Sequence, residues 1–219
     1  MNGDADMVTV AVPRGTLMNG ALDLLERAGY DVGEVRENDR KLFFAERGII
    51  TMRPSDVPTY VERGVADIGI AGKDVLMEQS DREIYELVDL GFGGCSMVVA
   101  VPEASAPTSD EASRRRGTLR IATKYPRLTE RYFAATGRQV ELIEVKGSVE
   151  LAAIAGLADA IVDLTATGAT LKENGLVISE RIADCTARLI ANPGAYRLKS
   201  EAIDRIAGRL RELVPGRVD

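Results

Sequence analysis

Short apolar runs alternate with amphipathic stretches along most of the chain. Residues 8–12 (Val-Thr-Val-Ala-Val) read as a strand, and after Pro13-Arg-Gly-Thr16 an apolar face of Leu17, Ala21, Leu24, Leu25 and Ala28 predicts a helix closed by Gly29. Apolar runs at 42–44, 49–52 and 66–70 predict three more strands. Helices follow them at Pro54, with Val57, Tyr60 and Val61 along one side, and over 72–77. Residues 95–101 form a continuous apolar strand, after which 102–111 turn polar and loop-like. The alternation then resumes with strands at 119–123, 140–145 and 160–163 and helices at about 127–135 and near 149–155. A run at 176–182, a strand at 186–191 and a last helix with Ile203, Ile206, Leu210 and Leu213 on one face complete the pattern.

Strands and helices alternating this regularly imply an α/β fold, with mostly parallel sheet covered by helices. Ligands of such sheets gather beyond the carboxyl ends of the strands. Those ends carry Pro13-Arg14-Gly15, Arg53-Pro54, Ala71-Gly72 and residues 165–170. The change of composition after 101 divides the chain into two α/β lobes. The first takes 1–97 and 183–219, and the second, 98–182, is inserted into it. Two chain crossings imply a hinge with a cleft.

Composition removes whole classes of chemistry. Among 219 residues there is no histidine, which excludes Ser-His-Asp and Cys-His catalysis and every histidine-ligated metal site. What remains favours positioning and charge stabilisation over proton shuttling. The net charge of -6 and the lack of a basic stripe with interleaved aromatics argue against nucleic acid. The one basic run, Arg114-Arg-Arg116, reads as a solvated loop. Cys95 and Cys185 lie far apart without the spacing of a zinc or redox motif, so buried, reduced thiols are expected. The polar start lacks signal-peptide features, and no run approaches the roughly 20 apolar residues of a membrane span. A cytoplasmic protein without membrane contact is the expectation.

One stretch concentrates candidate chemistry. Asp163-Leu-Thr-Ala-Thr-Gly-Ala-Thr170 follows a strand and runs into a helix. Small residues at a strand-to-helix turn expose backbone amides, and the helix start adds partial positive charge, which together suit an anion. Thr165, Thr167 and Thr170 add hydroxyls; Gly168 and the alanines leave room for a phosphate. Asp163 is misplaced for a phosphate but well placed for sugar hydroxyls. An acid beside a phosphate cradle suits a ribose 5-phosphate, although a Thr/Gly-rich turn with an Asx-type cap has the same composition.

The segment from Glu150 to Leu171 resembles, at every fixed position, the signature of the ATP phosphoribosyltransferases. The likeness extends to Pro13-Arg-Gly15, 65–72, 90–95 and Ala122-Thr-Lys-Tyr-Pro126. The resemblance implies a type II periplasmic-binding-protein-like fold. It implies transfer of the phosphoribosyl group of phosphoribosyl pyrophosphate to N1 of ATP's adenine, with pyrophosphate released, as the first step of histidine biosynthesis. Magnesium would arrive on the diphosphate, with no protein metal site. It also implies the short form of the enzyme, a dimer alone and a hetero-oligomer with a regulatory subunit related to histidyl-tRNA synthetase.

On this reading Thr165, Ala166, Thr167, Gly168, Ala169 and Thr170 hold the 5-phosphate and Asp163 the ribose hydroxyls, with Glu150 as a second acid. Arg53 and Arg40 take the pyrophosphate, since guanidinium forks suit phosphate oxygens; an exposed arginine in a surface ion pair is the alternative for each, and it weighs more for Arg40, whose segment aligns loosely. Arg14, Gly72, Asp89 and Tyr125 are candidates for ATP, with Asp89 and Tyr125 open to a structural reading as well. Two rivals stand beside this assignment: a non-enzymatic ligand-binding module on the same fold, and a phosphoribosyltransferase acting on another base.

Overall fold

The structure, a computed structural model, describes residues 7–38, 40–105 and 118–214. The basic run Arg114–Arg116 therefore lies outside the described residues. In chain order the strands are β1 Val10–Pro13, β2 Phe43–Phe44, β3 Ile49–Met52, β4 Ile68–Gly72, β5 Tyr85–Asp89, β6 Cys95–Pro102, β7 Leu119–Thr123, β8 Val140–Glu144, β9 Ala160–Thr165, β10 Leu176–Cys185 and β11 Ala187–Ala191. The helices are α1 Met18–Arg27, α2 Gly33–Glu37, α3 Val57–Glu62, α4 Lys73–Glu78, α5 Pro126–Ala135, α6 Glu150–Ile154, α7 Ala169–Glu173, α8 Pro193–Leu198 and α9 Ser200–Leu213. Two compact units result: Met1–Gly93 with Thr186–Asp219, and Gly94–Cys185.

In the first unit the sheet order is β2-β3-β1-β4-β11-β5. The alternation of side chains along each strand assigns them to two faces. Val10 and Val12 of β1, Ile68 and Ile70 of β4, and Leu189 and Ala191 of β11 join one core, against Leu22 and Leu25 of α1 and Ile203 and Leu210 of α9. Ala11, Ala71 and Ile190 face the other way, against Val57 and Val61 of α3. Gly69 lets that helix approach: a Cβ there would meet Val57 Cγ1 and Val61 Cγ2 at 2.8 Å each. Among the described residues, no helix is long and apolar enough to cross a membrane.

The sheet of the second unit runs β10-β6-β9-β7-β8. Val98, Ala100 and Ile161 pack with Ala152 and Ala153 of α6 and with Leu171 of α7. At its far side, Arg138 makes two bonds to the Glu180 carboxylate, at 2.6 and 2.8 Å, and its guanidinium lies 4.4 Å from the Phe133 ring centroid. This ties the end of α5 to β10.

Two expectations need correction. The sheets are mixed rather than mostly parallel: β1 pairs in parallel with β3 and β4, but β11 enters antiparallel to both β4 and β5. In the second unit β6 is antiparallel to both β9 and β10. In the first unit β11, formed after the chain returns, runs against β4 and β5, formed before it leaves; in the second, the chain enters by β6 and leaves by β10, running the other way. The proposed cuts at 97/98 and 182/183 also fall inside β6 and β10. These strands pair from Cys95↔Cys185 to Pro102↔Leu176, so they cannot be divided and both belong to the second unit.

Candidate active site

Within the second unit, β9 delivers Asp163 and then the loop 165–170. Val162 and its neighbours pair on both sides, with β6 and β7, so the strand end is fixed. Gly168 turns the chain at φ 77°, in the left-handed region that glycine enters at least cost, and precedes α7. Thr165 Oγ1 accepts a bond from Gly168 N at 2.9 Å, and Thr167 Oγ1 one from Ala169 N at 3.3 Å. Ala166, Thr167, Ala169 and Thr170 are exposed. The result is an exposed rim of small and hydroxyl-bearing residues, with the Gly168 and Ala169 amides bonded within the loop.

Asp163 is only 9 % exposed. Its Oδ1 accepts from Leu164 N at 2.9 Å, and its Oδ2 lies 3.4 Å from Lys124 Nζ. Burial pushes its pKa up; the Leu164 amide and the Lys124 charge pull it down, and Glu150 adds a smaller upward push. A carboxylate so placed remains an acceptor with lone pairs to spare, suited to hydroxyl donors. Glu150 stands at the start of α6.

Lys124 has no counterpart among the expected site residues. It follows β7, the strand paired in parallel with β9. Buried Thr123 fixes this corner: its Oγ1 donates to Val162 O at 2.8 Å and accepts from Tyr125 N at 2.9 Å. Tyr125 then caps α5. The Ala122–Pro126 stretch brings Lys124 and Tyr125 to the same strand ends as Asp163, so the sequence signal was present. The partner thirty-nine positions away was not visible in it.

The first unit gathers its own candidates at one edge. β1, β3 and β4 are parallel, so Arg14, Arg53 and Gly72 all stand at carboxyl ends, and Arg14 N donates to Met52 O at 2.8 Å. β2 runs antiparallel to β3, so Arg40, which precedes β2, lies at the end of the pair where Arg53 leaves β3. Arg40 and Arg53 are both exposed. At Gly72 a Cβ would stand 2.2 Å from Asp74 Oδ1, so the aspartate folds over the glycine. Asp89 has clear structural duties. Its Oδ1 accepts from Thr186 Oγ1 at 2.7 Å and from Gly91 N at 3.1 Å, and its Oδ2 pairs with Arg188 at 3.0 Å.

Comparison with known proteins gives the arrangement a family. A sequence model of ATP phosphoribosyltransferase matches residues 53–212. The chain belongs to the ATP phosphoribosyltransferase family. It is 52% identical to the ATP phosphoribosyltransferase of Rubrobacter xylanophilus over 196 residues, covering 89% of this chain and 90% of that one. With the Bacillus subtilis ATP phosphoribosyltransferase it shares 47% over 214 residues, covering 96% and 97%. The structure is similar to the ATP phosphoribosyl transferase HisG:HisZ complex of Thermotoga maritima, with TM-score 0.75 and 35% identity, covering 95% of this chain and 98% of that chain. The alkanesulfonate-binding protein SsuA of Xanthomonas axonopodis pv. citri, bound to MOPS, superposes with TM-score 0.55 at 11% identity, covering 94% and 72%. That second likeness shows the type II binding-protein fold alone. The matched family span takes in Arg53, Gly72, Asp89, Tyr125, Glu150 and the whole 163–170 stretch, whereas Arg14 and Arg40 precede it.

Proposed function

We propose that this ATP phosphoribosyltransferase joins N1 of ATP's adenine to C1 of phosphoribosyl pyrophosphate and releases pyrophosphate, the reaction that opens histidine biosynthesis. The carrying observation is the succession, at one strand end, of the buried Asp163 carboxylate and the open loop 165–170. Hydroxyl acceptors next to a phosphate cradle are the demands of a ribose 5-phosphate.

The bond from C1 to the diphosphate oxygen breaks with its electron pair leaving on pyrophosphate. The lone pair of adenine N1 makes the new bond. The transition state is oxocarbenium-like, so alignment and charge stabilisation supply the rate, and no histidine base is required. Thr165, Ala166, Thr167, Gly168, Ala169 and Thr170 hold the 5-phosphate; Asp163 and Glu150 hold the ribose hydroxyls and add negative charge near the electron-poor sugar. Arg53 and Arg40 neutralise the departing diphosphate. Arg14, Gly72, Asp89 and Tyr125 are assigned to ATP, Asp89 also ordering the strand end through Gly91 and Thr186.

Magnesium enters as part of the substrate, on the diphosphate. Among the described residues no group of three or more His, Cys, Asp or Glu could hold a metal ion. Substrate oxygens and water suit magnesium's octahedral shell without such a cage. The Thermotoga maritima relative was solved as a two-protein complex. We assign this chain a corresponding place: a cytoplasmic short-form catalytic subunit, dimeric alone and hetero-oligomeric with a histidyl-tRNA-synthetase-related regulatory subunit.

The test is the near-ultraviolet absorbance of purified protein with ATP, phosphoribosyl pyrophosphate, magnesium and pyrophosphatase. Growth of an N1-substituted adenine chromophore supports the assignment. Binding of phosphoribosyl pyrophosphate without turnover, with or without the regulatory subunit, would point to another acceptor base; no binding of it would return the fold to ligand sensing.

A further inference from the structure

The two cysteines, far apart in sequence, are partners in the sheet. Cys95 opens β6 and Cys185 closes β10, and they stand directly opposite each other in the antiparallel ladder. The neighbouring rung fixes this register through its side chains: Ser96 and Asp184 are also opposite, and Ser96 Oγ donates to Asp184 Oδ1 at 2.7 Å. Side chains alternate across a strand, so the cysteines share the other face of the sheet, one rung along.

Opposite residues of an antiparallel pair have Cα atoms about 4.5–5.5 Å apart, inside the roughly 4.4–6.8 Å that a disulfide spans. Neither cysteine is in a disulfide in this structure. Cys185 is buried, while Cys95 is half-buried and gives an oxidant access to the pair. We propose that Cys95 and Cys185 are a reversible oxidation site, forming an intrachain disulfide that staples the two ends of the inserted unit. The unit boundaries follow immediately, at Gly93/Gly94 and Cys185/Thr186, so the bond closes the whole unit into one covalent loop.

The chemistry balances with a small disulfide as oxidant. One cysteine loses its proton and attacks glutathione disulfide, expelling one glutathione thiolate. The second cysteine, deprotonated in turn, attacks the mixed disulfide and expels the other. Two S–H bonds and one S–S bond are exchanged for one protein S–S bond and two glutathione thiols. A long enclosed loop favours such a bond, because cross-linking removes closure entropy from the unfolded chain. Thiol reductants reverse it, which suits a sensor rather than a permanent brace.

The experiment incubates the full-length protein with glutathione disulfide, quenches it in acid, and counts thiols after denaturation. The expected result is loss of both thiols, one non-reduced peptide pair joining Cys95 to Cys185, and a rise in Tm that dithiothreitol abolishes. Cys185→Ser should leave a mixed glutathione adduct on Cys95, Cys95→Ser should leave the buried Cys185 unmodified, and neither variant should show a Tm rise. Two thiols still titratable after oxidation, or cross-links only between separate chains, would overturn the proposal. Activity is recorded in parallel but decides nothing about the site, so its failure and that of the functional assignment are separable.

Discussion

Gly168→Ala isolates the backbone of the phosphate loop. Gly168 has φ 77° and ψ -2°, and a Cβ placed there would have no heavy atom within 4 Å. The substitution therefore causes no clash, and its cost is conformational. Holding an L-residue in the left-handed region costs about 1–2 kcal/mol. Restricting the unfolded chain offsets about 0.4–1 kcal/mol of that, leaving a net of about 1 kcal/mol, or roughly fivefold in an equilibrium constant. If the loop keeps its shape, the cost appears as a lower urea midpoint; if it relaxes, it appears as weaker binding of phosphoribosyl pyrophosphate. Calorimetric titration and urea denaturation of the same preparation measure both parts. Gly168→Asn should recover most of the loss, because asparagine tolerates this region. Gly147→Ala, also in open space but without a positive φ, should leave the affinity unchanged and raise the midpoint slightly through the unfolded chain alone. Unchanged affinity and unchanged midpoint in Gly168→Ala would refute the claim that this turn holds the ligand loop.

Asp163→Asn should raise the Michaelis constant for phosphoribosyl pyrophosphate or lower turnover sharply, yet raise Tm at neutral pH. The folded pKa of Asp163 is raised by burial, so its contribution to stability is present below the unfolded value of about 3.9 and lost as pH rises through the folded one; the Tm gain should vanish in acid, and a loss of Tm at pH 7 would contradict this. Lys124→Met removes the charge that pulls Asp163 downward, so the acid limb of kcat/KM should move to higher pH and Lys124→Arg should restore it; a uniform loss at every pH would mean instead that Lys124 touches substrate. Arg138→Met should cost about 1 kcal/mol, the scale of a partly screened ion pair. Arg138 holds the Glu180 pKa down, so this stability is present above the ordinary carboxylate range and lost as pH falls, and a Tm difference independent of pH would contradict it. Arg53→Ala should lower kcat more than it changes the ATP Michaelis constant; a change in that constant alone would move Arg53 to the nucleotide site.

Much of this fold was legible because its central strands are buried on both faces and read as apolar runs. β1, β3, β7 and the start of β9 stand close to where hydrophobic spacing puts them. β5 was missed for a physical reason: Tyr85 and Glu86 are exposed and Val88 is its one fully buried residue, so an edge strand showed no run to read. α2 and α8 are short helices of five and six residues with little amphipathic pattern. Strand direction was hidden too, since β11 enters antiparallel after the chain has passed through another unit. The ligand loop showed itself because all its parts are contiguous, Asp163 to Thr170. Lys124 beside Asp163, Arg188 on Asp89 and Cys95 opposite Cys185 depend on strand register, which composition and spacing do not encode.

The most direct test of the central claim is the bond itself. Phosphoribosyl pyrophosphate labelled with carbon-13 at C1 and ATP labelled with nitrogen-15 at N1 are incubated with the protein, magnesium and pyrophosphatase, and the product is examined by NMR. A one-bond carbon–nitrogen coupling between the labels is the predicted result. Transfer of the labelled ribose to any other atom or base, or its release to water alone, would contradict it.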